Sequence, residues 1–238
     1  MRRQIGFTEM FNFRDVGGYP APGGRSVRWR RLFRSDVPSG LYGEDRALFG
    51  SLGIRTVVDL RRAYEIERHG RMPDLGGVAY RHIDLGHREW QHAPYRPGGD
   101  PARYFADRYL DLAAEGAHGL AETIGVIAAE ESLPVLVHCV TGKDRTGVVC
   151  ALVLALLGVA DDDIDADYAL SARANVRYAA WARRNRRAAV LPGFASPPGS
   201  IGLFLAGLRA VHGTVEDYLI GAGLGVGEVA ALRTHLLE

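Results

Sequence analysis

The sequence predicts an α/β fold: a central, mostly parallel sheet flanked by helices. Three observations predict it. Residues 133–137 are a short apolar run of buried-strand type, and after a polar break the chain continues over 147–158 as an almost wholly apolar stretch of buried-helix type. Residues 54–60 hold the β-branched residues of a second strand, and residues 78–85 read as a third. Helical patterns separate these strands, and such alternation favours parallel pairing.

Taken in order, residues 11–18, FNFRDVGG, read as a loop with paired charges at Arg14 and Asp15 and a Gly-Gly turn. Residues 27–34 alternate weakly and suggest a short strand, followed by Ser35 and Asp36. Residues 43–53 place Ala47, Leu48 and Leu52 on one helical face. The strand at 54–60 has Asp59 near its end, with Arg61, Arg62 and Glu65 beyond; the strand at 78–85 has Asp84 near its end. In such sheets functional groups gather beyond the carboxyl ends of the strands, so both carboxylates are candidate site residues, with a cap or turn role as the plain alternative. Residues 87–101 are rich in Pro and Gly and read as a loop.

Residues 105–113 and 120–129 read as helices leading into the strand at 133–137. Asp161, Asp162 and Asp163 suit the start of a helix running to Leu170. Residues 173–187 are arginine-rich with Tyr178 and Trp181 interleaved, and 191–200 break at Pro192, Gly193, Pro197, Pro198 and Gly199; a solvated basic helix and linker is the plain reading. Residues 201–212 form an apolar helix, Thr214 to Asp217 look like a capping box opening the next, and 221–227 separate it from a last helix at 228–237.

The 238 residues suit one domain over 1–238, and 47% hydrophobic with 24% charged residues is a soluble globular composition. A net charge of +1 makes no global case for nucleic acid or a membrane surface. The two cysteines, Cys139 and Cys150, are no disulfide framework, and Cys150 reads as a core thiol. The start lacks the apolar core of a signal peptide, and 148–157 is too short to span a bilayer. The expected place is the cytoplasm, with signal-independent export left open and the oligomeric state not legible. His87, His92 and His118 do not converge, so neither metal nor cofactor is expected.

The chemistry sits between strand and helix, in HCVTGKDRT at 138–146. A loop feeding a helix start points unpaired N–H groups into one concavity, and the helix dipole favours negative charge there. Such a nest suits phosphate, and the same field favours a nucleophilic thiolate at Cys139. Arg145, six residues on, offers a planar fork for two phosphoryl oxygens, and Thr146 can donate to the sulfur. Lys143 is the only lysine among 29 basic residues, which suggests a need for its compact ammonium group, expected at the mouth of the nest.

With these residues the chain resembles the cysteine-dependent phosphatases, and its loop is similar to that of bacterial tyrosine/lipid phosphatases of the mycobacterial protein tyrosine phosphatase B type. The resemblance implies a phosphotyrosine-phosphatase-like fold and a phosphomonoesterase needing no metal. It implies Cys139 as nucleophile, Arg145 and the N–H groups of Val140, Thr141, Gly142 and Lys143 around the phosphate, and His138 tuning the cysteine. NFRDVGG and LFRSD are also similar to the family, implying that this region lines the site's rim, and a helical lid is implied over 173–198. The general acid stays open: Asp144 is favoured, with Asp84 and Asp59 as alternatives. The substrate is a phosphorylated protein or a phosphoinositide. A catalytically idle phosphate-binding module, or a sulfur-transfer or arsenate-reducing enzyme, are the competing classes; the intact Cys139 and Arg145 and the lack of a resolving thiol argue against them.

Overall fold

The computed structural model describes residues 3–185 and 196–238. Among them the strands are β1 (Arg14–Asp15), β2 (Pro20–Ala21), β3 (Arg25–Ser26), β4 (Leu32–Ser35), β5 (Thr56–Asp59), β6 (Ala79–His82) and β7 (Val135–His138). The helices are α1 (Gly43–Ser51), α2 (Ala63–His69), α3 (Pro101–Glu115), α4 (Ala117–Ala128), α5 (Asp144–Leu156), α6 (Asp161–Ala169), α7 (Ser171–Arg184), α8 (Ser200–His212), α9 (Val215–Gly221) and α10 (Val226–Leu236).

The central sheet has the order β1-β4-β7-β5-β6, parallel except for the antiparallel edge strand β1. Side chains alternate across it, as the pleat requires. Leu32, Val58, Val135 and Val137 face one core with α3, α4, α5 and α8; Phe33, Val57 and Leu136 face a second core with Phe7, Phe13 and Phe49. Burial on both faces explains why β7 reads as a continuous apolar run. Helix α5 is buried almost all round, which explains its lack of a polar face.

Register sets the place of the site. Ser35, His138 and Asp59 are neighbours at the carboxyl ends of β4, β7 and β5. Each chain segment that leaves this edge therefore starts beside the loop after β7.

The expected α/β architecture is present, with differences in short elements. The expected loop at 11–18 contains β1, two residues long and so without readable periodicity. The β2–β3 hairpin is equally short. Helix α2 was not anticipated; it starts where Glu65 accepts the Arg62 N–H at 2.8 Å. The Pro-rich loop ends at Asp100, which caps α3 by accepting from Ala102 N. Of the capping box expected at Thr214 only one half forms: its hydroxyl accepts from Asp217 N at 2.9 Å, while the Asp217 carboxylate accepts from that same hydroxyl rather than from the Thr214 N–H. No helix of the described residues is long and apolar enough to cross a membrane.

Candidate active site

Strand β7 delivers His138 and then Cys139, which is 2% exposed, to the carboxyl edge of the sheet. The loop then turns at Gly142, whose φ is +65°, and enters α5 at Asp144. A Cβ on Gly142 would lie 2.3 Å from the Ser35 carbonyl oxygen, so both its conformation and its space require glycine.

Every carbonyl from Cys139 to Gly142 is held by a donor outside the concavity. Cys139 O accepts from His138 Nδ1 at 3.2 Å and Val140 O from Val37 N at 3.2 Å. Thr141 O accepts from Asn12 Nδ2 at 2.9 Å and Gly142 O from Arg34 Nη2 at 2.8 Å. In a trans peptide the C=O and the following N–H point in opposite directions. The N–H groups of Val140, Thr141, Gly142 and Lys143 therefore point inward, where they join the free N–H groups of the first turn of α5. This is an anion nest, built from outside by the segment at 11–12, by β4 and by Val37, two residues beyond that strand.

The brace goes deeper. Arg34 and Arg14, both buried, share the buried carboxylate of Asp167 on α6, with Arg34 Nη1 at 2.7 Å and Arg14 Nε at 3.1 Å. Burial opposes ionisation of Asp167, but these two guanidinium groups outweigh it and hold the carboxyl well below its usual range. Asp36 accepts from the N–H groups of Phe11 and Asn12. The NFRDVGG and LFRSD segments thus lie behind the loop as its scaffold, rather than on the rim as expected.

Arg145 is aimed by α2 and the end of β5. Its Nη1 donates to Leu60 O at 3.1 Å and to Glu65 Oε2 at 2.6 Å, while Nη2 donates to Glu65 Oε1 at 2.8 Å. The Nε–Nη2 edge keeps its outer donors free of protein acceptors among the described residues. Burial opposes the charge of Arg145, yet Glu65 and Cys139 raise its pKa above the ordinary value.

A cavity of about 260 Å³ opens over Arg145 and Asp144, walled by Arg62, Tyr64, His87, Glu89, Trp90 and Gln91. Burial pushes the His87 imidazole down to about 4, helped by Arg62 and Arg145, so it is neutral at pH 7. Trp90 packs on Phe105 and Tyr109, with ring centroids 5.8 Å away in each case.

Of the three candidate acids, the structure brings only Asp144 to this cavity. Its Oδ1 accepts from Tyr109 at 2.8 Å and lies 3.4 Å from Lys143 Nζ. Asp59 is fully buried; it accepts from Arg61 through both oxygens and from Tyr80 at 2.7 Å. Against the opposing effect of burial, the Arg61 hydrogen bonds hold it at about 2, so it is ionised and out of reach. Asp84 is exposed, accepts from Gly86 N at 2.9 Å, and does not line the cavity. Neither alternative lines the cavity: Asp59 is held in a buried ion pair and Asp84 in a surface turn.

Lys143 also differs from expectation. It is 5% exposed, with Nζ 4.2 Å from the centroid of the Phe105 ring, so its ammonium lies under Asp144 rather than at the mouth. His138 is fully buried beside Asp59, and burial pushes it down to about 4; a neutral ring donates Nδ1–H to the Cys139 carbonyl. Thr146 is buried, with Oγ1 unpartnered among the described residues. Cys150 is a buried core thiol that burial pushes up to about 11. No group of three or more His, Cys, Asp or Glu among the described residues is placed to hold a metal.

Of the expected lid at 173–198, α7 is tied to the N-terminal segment by Arg177 donating to Phe11 O at 2.9 Å, and none of its residues lines the cavity. Residues 186–195 lie outside the described residues. Sequence reasoning gave no roles to Glu65, Arg62 and Tyr109. Only Glu65 had a local signal, its spacing of three from the helix-start residue Arg62.

A family model described as the tyrosine phosphatase family matches residues 5–238. A Cupriavidus necator protein, provisionally named a tyrosine-protein phosphatase, is 31% identical over 99% of this chain and 89% of its own. The triple specificity protein phosphatase PtpB of Mycobacterium tuberculosis is 33% identical over 66% of this chain and 65% of its own. Among solved structures, the Siw14 catalytic core aligns with a TM-score of 0.43 and 17% identity, over 67% of this chain and 74% of that one.

Proposed function

The chain belongs to the tyrosine phosphatase family and is a hydrolase of phosphorylated substrates; from that premise we propose that it cleaves phosphomonoesters through a phosphocysteine on Cys139. The observation that carries the reading is the loop whose carbonyls are all held outward, beside an arginine with one edge free. The Cys139 thiolate attacks phosphorus in line, and the S–P bond forms as the bond to the leaving oxygen breaks. The inward N–H groups and the Nε–Nη2 edge of Arg145 stabilise the equatorial oxygens as charge develops. Asp144 gives its proton to the leaving oxygen. In the second step it takes a proton from the water that attacks phosphorus, and the S–P bond breaks to release phosphate, so that thiolate and acid are both restored. No step calls for a metal, since the nest and Arg145 supply the positive field.

The phosphatase unit spans 1–238 as one domain of the mycobacterial type in this proposal. Phosphotyrosine is its first substrate class. We extend the proposal to phosphoserine or phosphothreonine and to phosphoinositides as further classes that fit a phosphate nest; that the mycobacterial relative is named a triple specificity phosphatase supports breadth beyond one class.

The test is hydrolysis of 4-nitrophenyl phosphate. Activity is expected to vanish in Cys139→Ser, to be blocked by vanadate and to survive chelators, and rapid acid quenching is expected to trap phosphate on Cys139. A wild-type protein that binds vanadate without turnover would instead be an idle binding module. Full activity in Cys139→Ser would sink the reading.

A further inference from the structure

Asp144 does not stand alone in the cavity wall. Its Oδ1 accepts from the Tyr109 hydroxyl at 2.8 Å and faces Lys143 Nζ at 3.4 Å; Oδ2 has no hydrogen-bond partner among the described residues. Tyr109 in turn lies 2.6 Å from the Tyr168 hydroxyl. A phenol has one hydrogen. That of Tyr109 goes to the carboxylate, so Tyr168 is the donor in the tyrosine pair, and the chain runs Tyr168 to Tyr109 to Asp144. Both tyrosines are fully buried, and burial first, then Asp144, keeps each pKa above its ordinary value, so both remain donors across the physiological range. Their rings are fixed: Tyr109 packs on Trp90, Phe105, Tyr168 and Phe204.

We propose that Tyr109, oriented by Tyr168, is a positioning residue that pins Oδ1 of Asp144 and so leaves Oδ2 to carry the proton that the leaving group takes. An acid bound through one oxygen keeps one orientation and one protonated atom. Without that bond the carboxyl group would rotate, and the proton would be shared between two oxygens, only one of them aimed at the substrate. Tyr109 does not touch the reacting atoms; it comes from α3, which packs directly against the helix that bears Asp144. The inference rests on the reading of Asp144 as general acid.

The experiment compares kcat/KM on phenyl phosphate, whose leaving phenol needs a proton, with 4-nitrophenyl phosphate, whose leaving group needs little help. Wild type, Tyr109→Phe, Tyr168→Phe, Asp144→Asn and the Tyr109→Phe/Asp144→Asn double variant are measured, with thermal unfolding as the control for fold. Asp144→Asn is expected to lose roughly 100-fold on phenyl phosphate and far less on the nitrophenyl ester. Tyr109→Phe is expected to show the same selectivity at about tenfold, Tyr168→Phe less, and the double variant no more loss than Asp144→Asn. Equal losses on both esters in Tyr109→Phe, adding to those of Asp144→Asn, would overturn the proposal while leaving Asp144 as the acid. Loss without leaving-group dependence in Asp144→Asn itself would overturn the acid reading, and the proposal with it.

Discussion

Arg62 and Lys143 show how a residue's place, not its type, decides its work. Lys143 sits in the loop as the chain's only lysine, and an ammonium at the mouth of the nest would be an extra cation for a second phosphate. Its ammonium is instead enclosed by Phe105 and Asp144. Arg62 is the cation on the cavity wall beyond Arg145; its Nη2 donates to the His87 carbonyl at 2.7 Å, which leaves Nε and Nη1 for a ligand. A charge-assisted hydrogen bond is worth about 1.5 kcal/mol, roughly tenfold in affinity. Arg62→Ala is therefore expected to lower kcat/KM on a polyphosphorylated inositol headgroup about tenfold more than on a phosphotyrosine peptide, whereas Lys143→Ala lowers both alike. A Lys143→Ala variant selectively weak on the inositol substrate, beside an Arg62→Ala variant that is not, would return the role to Lys143. Neither placement was legible in the sequence, because both follow from which neighbour each flexible side chain meets in space. The same holds for the acids. Asp59, Asp84 and Asp144 all lie at strand ends or in the loop, and only their partners separate a buried ion pair and a turn from a cavity wall.

The strand–loop–helix unit was the most legible element, since strand, Cys-x5-Arg and helix are contiguous and each has its own pattern. What holds the loop open was not legible, because it is contributed by Asn12, Arg34 and Val37, about a hundred or more residues upstream. Short elements such as β1 left no period to read, and α2 is only 7 residues long. The loop's dependence on its brace can be measured at Gly142. Alanine there combines a left-handed backbone with a methyl pressed on the Ser35 carbonyl. Gly142→Ala is expected to lose about 1–3 kcal/mol of stability and most of its vanadate affinity, as the inward N–H groups are displaced. Near-normal vanadate binding by calorimetry would show that the nest tolerates a different path at this residue.

For the molecule as a whole, the groups buried at the carboxyl edge of the sheet set its response to acid. His138 and His87 are held at about 4, below an ordinary value near 6.5, chiefly by burial. Below pH 6.5 the unfolded chain takes up these protons and the folded chain does not. Stability therefore falls with pH across the window from 6.5 to 4, by roughly 1.4 kcal/mol per pH unit for each histidine. Asp59, held at about 2, contributes in a lower window: its stabilisation is present above pH 4 and is lost as pH falls toward 2. Asp15 and Asp36, raised by burial, act in the opposite sense as they take up protons in the folded state. The histidines are isolated by difference. Urea unfolding at pH 7.5, 6 and 5 is expected to show wild-type stability falling, with His138→Gln losing roughly half of that slope because a neutral amide has nothing to titrate. An unchanged slope in His138→Gln would mean that His138 is protonated in the folded protein, paired with Asp59 at 3.6 Å, and is not the neutral donor to the Cys139 carbonyl.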